Sequence, residues 1–207
     1  MKNEPTIYVV DDDQAVRDSL RWLLESVNHN VKTFSSANDF LTTYESDRPG
    51  CLLLDVRMPG MSGLELQGFL KKRNVKIPII IITGHGDVPM AVRAMQAGAY
   101  DFLTKPFNDQ ELLDRIQYCI SQDTRHRQEW KENEVLKERV GQLTPREKEV
   151  LEGVVMGKAN KVIASELGIS IKTVEIHRAR GMEKMDAGSV AELVAICIRC
   201  GLYKGKP

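Results

Sequence analysis

The sequence predicts two joined folds, an α/β domain in front and an all-α domain behind. Three observations carry this. Short apolar runs alternate with helical patterns five times in the first 120 residues. A charge-rich, proline-free stretch follows at 122–142. Beyond it every apolar pattern has helical spacing. The 207 residues fit two domains at about 100–200 residues each.

The front half begins with TIYVV (6–10), an apolar run of the kind a strand buried on both faces shows. Val16, Leu20, Leu23 and Val27 follow at helical spacing. VKTF (31–34) reads as strand, then Ala37, Phe40, Leu41 and Tyr44 as a helical face. CLLLD (51–55) is a third strand, and Leu64, Leu66, Phe69 and Leu70 mark a helix after Pro59 and Gly63. IPIIIIT (77–83) is the most hydrophobic strand. Ala91, Ala94, Met95 and Ala97 form a small-residue helix stopped by Gly98. YDFL (100–103) and a helix through Leu112, Leu113, Ile116 and Ile120 complete the series. Five such units predict a doubly wound five-stranded parallel sheet with helices on both faces. Functional groups then gather at the carboxyl ends of the strands.

Residues 122–142 are good helix formers with a thin apolar stripe, Leu136, Val140 and Leu143. They predict a helical linker; a short coiled coil and a solvated single helix both remain open. Thr144-Pro145-Arg146-Glu147 opens the next helix, with threonine as N-cap and proline at the first helical position. Val150, Leu151, Val154 and Val155 are its apolar side, and Gly157 its end. Helices at about 160–167 and 171–185 flank the turn Leu167-Gly168-Ile169-Ser170, a helix-turn-helix pattern. Ser189 opens a fourth helix with Val190, Leu193, Val194 and Cys197 on its apolar face. The predicted division is 1–121, a linker at 122–142, and a four-helix unit at 143–207.

Composition bounds the function. Hydrophobic residues make up 42% and charged residues 28%, which is globular rather than disordered. No apolar run approaches the ~18 residues of a membrane span, so no membrane partner is expected. No signal peptide pattern precedes the first strand, and a cytoplasmic protein is expected. Four scattered cysteines make no disulfide framework, and Cys197-x-x-Cys200 lacks a second ligand pair, so it reads as structural. The net charge of zero hides an asymmetry. Residues 1–120 carry 13 basic and 16 acidic side chains, leaving 16 and 13 for the rest. Two units with different partners fit this.

Strand ends carry the chemistry of the first unit. Asp11, Asp12 and Asp13 follow strand one, Asp55 ends strand three, Thr83 ends strand four and Lys105 follows strand five. In the strand order 2-1-3-4-5, Asp11, Asp12 and Asp55 converge on one edge. Carboxylates this close repel and rise in pKa unless a divalent cation or a lysine offsets them. Oxygen ligands with open positions suit Mg²⁺, which bridges to phosphate. A carboxylate, a cation, an ammonium and a hydroxyl around one space can accept a phosphoryl group. The plain alternative is that acids after a strand are helix caps, and Asp13 reads as one.

The motifs VVDDD (9–13), LLLDVRMPGMSG (52–63), IIITGHGD (80–87) and FLTKPF (102–107) resemble those of CheY-like response-regulator receiver domains. TGHGDVPMAVRAMQAGAYDFLTKPF points to the FixJ branch. The resemblance implies Asp55 as phosphoacceptor, and Asp11, Asp12, Asp55 and the Arg57 backbone carbonyl as Mg²⁺ ligands. Lys105 would pair with the phosphate, Thr83 would close on it, and Phe102 would be the aromatic switch. The Lys105–Pro106 bond is expected to be cis. Residues 143–201 resemble the LuxR/NarL type of DNA-binding domain through LTPREKEVL (143–151), ANKVIASELGIS (159–170) and KTVEIHRARGMEKM (172–185).

On the recognition helix, Val174, Met182 and Met185 fall inward. By the resemblance, Glu175, Ile176 and Ala179 match the positions that face base edges in that family. Glu175 could accept from a cytosine amino group and Ile176 could touch a thymine methyl. Lys158, Lys161, Lys172, Thr173, His177, Arg178 and Arg180 are candidates for phosphate contacts. Exposed acids often bind nothing, and His177 could instead be packed. From 158 to 184 there are six basic and three acidic residues, so binding as a dimer is expected. Gly181 stands where the pattern carries an apolar core side chain: either a helix packs unusually close there or the domain is marginal.

The reading is therefore a non-enzymatic two-component transcriptional regulator. Its implied partners are a sensor histidine kinase, inverted-repeat promoter DNA, a second copy of the chain, and RNA polymerase. Two rivals stand. One is a phosphorylation-independent DNA-binding regulator whose front domain only dimerises. The other is a Mg²⁺-dependent aspartyl phosphatase, which needs an acid two residues after its nucleophile, where this chain has Arg57.

Overall fold

The computed structural model describes residues 4–45, 48–84 and 86–201. His85 of the motif IIITGHGD, residues 1–3 and 46–47, and residues 202–207 lie outside them. Two compact units are present, Met1–Arg127 and Gln128–Pro207.

In the first unit, β1 (Thr6–Val10), β2 (Asn30–Phe34), β3 (Gly50–Leu54), β4 (Ile79–Thr83) and β5 (Asp101–Thr104) form one parallel sheet in the order β2-β1-β3-β4-β5. The crossovers are α1 (Gln14–Ser26), α2 (Ala37–Thr43), α3 (Gly63–Lys72) and α4 (Val88–Ala97). The period-2 alternation of strands sorts their side chains into two cores. Tyr8, Val10, Leu52, Leu54 and Ile81 join Phe40, Leu66, Leu70 and Ala94 on one face. Ile7, Val9, Leu53, Ile80 and Ile82 join Leu20, Leu24, Leu112 and Ile116 on the other. β1, β3 and β4 are buried along their whole length, which is why their sequences are unbroken apolar runs.

Local signals set the ends of the helices. Asp13 caps α1 through its side chain, accepting from the Ala15 N–H at 2.8 Å. Ser62 and Glu65 form a capping box on α3. Gly98, at φ 101°, stops α4 in the left-handed conformation that L-residues avoid. The Lys105–Pro106 peptide is cis, as the motif implies.

The fifth helix, α5, runs as one element over Asp109–Gly141. It therefore continues without a break through the residues read as a linker. Nothing in 121–140 stops a helix, and i,i+4 pairs support it: Arg127 with Asp123 at 2.7 Å, and Gln128 with Glu132 at 2.9 Å.

The second unit adds α6 (Pro145–Val155), α7 (Asn160–Leu167), α8 (Ile171–Lys184) and α9 (Val190–Arg199). Thr144 and Glu147 form a capping box with Pro145 in the first turn, and Ser170 and Ser189 cap α8 and α9. Gly168 ends α7 at φ 67°. Val150, Leu151, Val154, Ile163, Val174, Met185, Leu193 and Cys197 make the core. The Gly181 question is answered by packing. A Cβ there would lie 2.9 Å from Leu151 Cδ1, so α6 and α8 approach as closely as a glycine permits. Gly153 meets Ile163 of α7 in the same way, at 2.8 Å. Among the described residues no helix is long and apolar enough to cross a membrane.

Candidate functional site

The parallel register builds the first site. Val10 pairs with Leu54, so Asp11 and Asp55, one residue beyond each, emerge side by side. The Asp55 N–H donates to the Val10 carbonyl at 2.8 Å. Thr83 pairs with Thr104, and the Lys105 N–H donates to the Thr83 carbonyl at 2.9 Å, which brings the lysine to the same edge. Its Nζ lies 2.5 Å from Asp11 Oδ2 and 3.0 Å from Asp55 Oδ1. The other Asp55 oxygen accepts from the Arg57 N–H at 2.6 Å, and Asp11 Oδ1 accepts from the Asp13 N–H at 2.9 Å.

The electrostatics follow from this geometry. Burial pushes the Asp55 carboxyl above its ordinary value; the Lys105 ammonium and the Arg57 N–H pull it down, and Asp11 adds to the rise. Burial alone would lower Lys105, but hydrogen bonds to Asp11 and Asp55 outweigh it and leave the ammonium more firmly protonated. Two buried carboxylates thus share one ammonium.

Asp12 is exposed and stands outside this hydrogen-bonded set. Among the described residues, no three carboxylate, imidazole or thiol groups are gathered so as to hold a metal by themselves. The donors present still fit a hard cation: two carboxylates at the strand ends, a third from Asp12, and a backbone carbonyl at Arg57, whose N–H is already tied to Asp55. A sparse all-oxygen set that leaves positions to water matches Mg²⁺ rather than a softer ion.

Thr83 is buried at the end of β4. Phe102 is partly buried against the first core, and Gly86 lies on its ring: a Cβ on Gly86 would be 2.8 Å from Phe102 Cε1. Three residues of this site escaped sequence reasoning. Gly63 packs directly on the phosphoacceptor candidate, since a Cβ there would sit 2.1 Å from the Asp55 carbonyl oxygen. Arg17 donates to the Asp11 carbonyl at 2.8 Å. Gly86 sets the room beside Phe102. The glycines stand inside quoted motifs, which was the available signal; Arg17 gave none.

The second site is α8 with the turn before it. Val174 and Met185 are fully buried and Met182 partly so. Glu175, Ile176 and Ala179 are exposed, Ile176 at 44%, a large apolar side chain turned to solvent. Lys161, Lys172 and Arg180 are also exposed. Other candidates have protein partners. Lys158 Nζ lies 2.8 and 2.7 Å from the two Glu166 oxygens. Arg178 donates to Asn160 Oδ1 at 3.2 Å, and the Thr173 hydroxyl pairs with Ser170 at 2.8 Å. His177 is half-buried. Behind this surface, Lys184 Nζ reaches Glu147 Oε2 at 2.6 Å. That lysine, with the Thr144 N–H, holds the Glu147 carboxyl at about 2. Cys197 is buried and Cys200 half-buried, and burial raises both thiols, so neither is a ready thiolate.

Comparison with known proteins gives a family match for each unit. The family model of the response regulator receiver domain matches residues 7–117, and that of bacterial regulatory proteins of the luxR family matches residues 141–197. The chain is 45% identical over 202 residues to the transcriptional regulatory protein FixJ of Bradyrhizobium diazoefficiens, covering 98% of each. It is 46% identical over 193 residues to the response regulator protein TodT of Pseudomonas putida, covering 93% of this chain and 85% of that one. Among solved structures it is similar to the response regulator StyR, with a TM-score of 0.90 and 46% identity over 95% of this chain and 99% of that one. For full-length FixJ from B. japonicum the TM-score is 0.57, with 44% identity over 96% and 98%. The chain belongs to the response regulators of transcription that join a receiver domain to a luxR-family DNA-binding domain.

Proposed function

We propose that Asp55 accepts a phosphoryl group from a sensor histidine kinase. The observation that carries this reading is the Lys105 ammonium held at 2.5 and 3.0 Å between Asp11 and Asp55. An Asp55 oxygen forms the new bond to phosphorus as the bond from phosphorus to the kinase histidine breaks. Lys105 keeps its proton throughout and neutralises charge on the phosphoryl oxygens. Asp11, Asp12, Asp55 and the Arg57 carbonyl would hold Mg²⁺, which when bound supplies further positive charge to those oxygens.

The phosphoryl group adds acceptor oxygens and negative charge beside Thr83, whose hydroxyl donates to it. Phe102 then turns into the space that Thr83 vacates, a shift between two packings. Two copies dimerise and bind an inverted-repeat promoter. Glu175, Ile176 and Ala179 meet base edges. Lys161, Lys172 and Arg180 meet phosphates, joined by His177, and by Lys158, Thr173 and Arg178 where their protein partners give way. We assign residues 1–121 to the receiver, 122–142 to the connecting helix and 143–207 to DNA binding, with the protein cytoplasmic and RNA polymerase as its downstream partner.

Incubation with acetyl phosphate and Mg²⁺, followed by intact mass spectrometry, tests the first step. Wild type gains one phosphoryl group and Asp55→Asn gains none; equal labelling of both would refute the assignment.

A further inference from the structure

At the opposite end of the sheet from Asp55, a groove of about 480 Å³ opens between the ends of α3 and α4 and the middle of α5. That volume lies within the ~300–1,000 Å³ of small-molecule sites. Its lining combines features that the phosphorylation chemistry does not use.

Gln67 lines the groove and is 2% exposed. Its Nε2 donates to the Ala94 carbonyl at 2.9 Å, which fixes which end of the carboxamide is the oxygen. That oxygen, Oε1, is buried and has no hydrogen-bond partner among the described residues. A buried acceptor left unpaired is costly and rare in native proteins, and the side chain that carries it lines an open groove. Lys71 and Lys76 stand exposed on the rim, and among the described residues no carboxylate lines the groove. Tyr100 and Tyr118 stack at 5.4 Å on one wall, and aliphatic side chains at the start of β4 form the floor.

We infer that this groove binds a small amphipathic anion. Its apolar body lies on the floor and the tyrosine wall, its acid group meets Lys71 and Lys76, and an N–H or O–H of the ligand donates to Gln67 Oε1 once a small rotation of that side chain uncovers the oxygen. Each part of the ligand answers one observation: the acid group the unopposed lysines, the donor the lone acceptor, the apolar body the floor. The site does not involve Asp55 and stands whether or not that residue is phosphorylated.

The probe is 8-anilinonaphthalene-1-sulfonate, which has an apolar body, a sulfonate and one N–H. The full-length protein is titrated with it by fluorescence, and amide NMR shifts report where it sits. The expected result is one saturable site that shifts the signals of Gln67 and Ala94. The double variant Lys71→Glu/Lys76→Glu weakens binding by about tenfold. Gln67→Leu weakens it by about fivefold. N-phenyl-1-naphthylamine, which keeps the N–H but lacks the sulfonate, binds at least about tenfold more weakly. Both lysines are exposed, so the charge variant keeps its fold, which circular dichroism checks. Absence of saturable binding would overturn the inference. So would equal affinity in wild type and both variants, which would place the dye elsewhere on the protein.

Discussion

Replacing Gly63 by alanine strikes Asp55, the proposed phosphoacceptor, through its backbone. The new Cβ would lie 2.1 Å from the Asp55 carbonyl oxygen and 3.0 Å from its carbonyl carbon. The first distance is about 1.4 Å inside the ~3.5 Å at which nonbonded atoms attract. Neither side yields easily. The Asp55 carbonyl belongs to the end of β3, and Gly63 is pinned by its own N–H donating to the Val56 carbonyl at 3.0 Å. Overpacking costs about 1–3 kcal/mol, and a clash with backbone belongs at the upper end. For a unit of this size, ~3 kcal/mol lowers the thermal midpoint by ~10 °C. Relief of the clash also displaces Asp55, and a ~1 Å misplacement of a reacting group costs ~10²-fold in rate. Gly68→Ala is the control, because it lies in the same helix with nothing within 4 Å of its Cβ and gains ~0.5–1 kcal/mol. The assays are melting followed by circular dichroism and the initial rate of labelling by acetyl phosphate. If the two variants behave alike, close approach of α3 to Asp55 is not what sets this site.

Other predictions concern charge and packing. Asp55→Asn raises the receiver's thermal midpoint at pH 7 without divalent cation. Burial raises the Asp55 pKa above its unfolded value, so the ionised carboxylate destabilises the folded state at neutral pH. The gain shrinks as pH falls through the raised folded value and vanishes below about 3.8; a lower midpoint at pH 7 would contradict this. Glu147→Gln costs the second unit ~1–3 kcal/mol at pH 7 in amide hydrogen exchange of α6 and α8. Because Lys184 and Thr144 lower the Glu147 pKa, that difference is full above pH 4.5 and fades as pH falls toward about 2. Ile176→Ala removes an exposed side chain and leaves melting unchanged. It relaxes discrimination at one thymine by ~1 kcal/mol in competition binding to promoter variants, at the low end for a base contact.

Much of this was legible in the sequence because local chemistry and tertiary structure agree. β1, β3 and β4 are buried on both faces and so appear as plain apolar runs. Asp13, Thr144, Ser170 and Ser189 cap the helices their positions suggest. The edge at Asp11, Asp55, Thr83 and Lys105 follows once the strand order is set. What stayed hidden depends on approach distance rather than residue type. The continuity of α5 past residue 121 could not be separated from two abutting helices, because both satisfy the same pattern. Gly181 left two explanations open until Leu151 was found against it. The engagement of Lys158 with Glu166 is likewise invisible in sequence, since it joins residues eight apart, from just before α7 to near its far end.

The central claim is that phosphorylation of Asp55 controls assembly. Sedimentation velocity with Mg²⁺, with and without beryllofluoride as phosphoryl mimic, tests it most directly. Wild type is expected to pass from monomer to dimer on adding the mimic, while Asp55→Asn stays monomeric in both conditions. A wild-type protein that sediments identically with and without beryllofluoride would contradict the account.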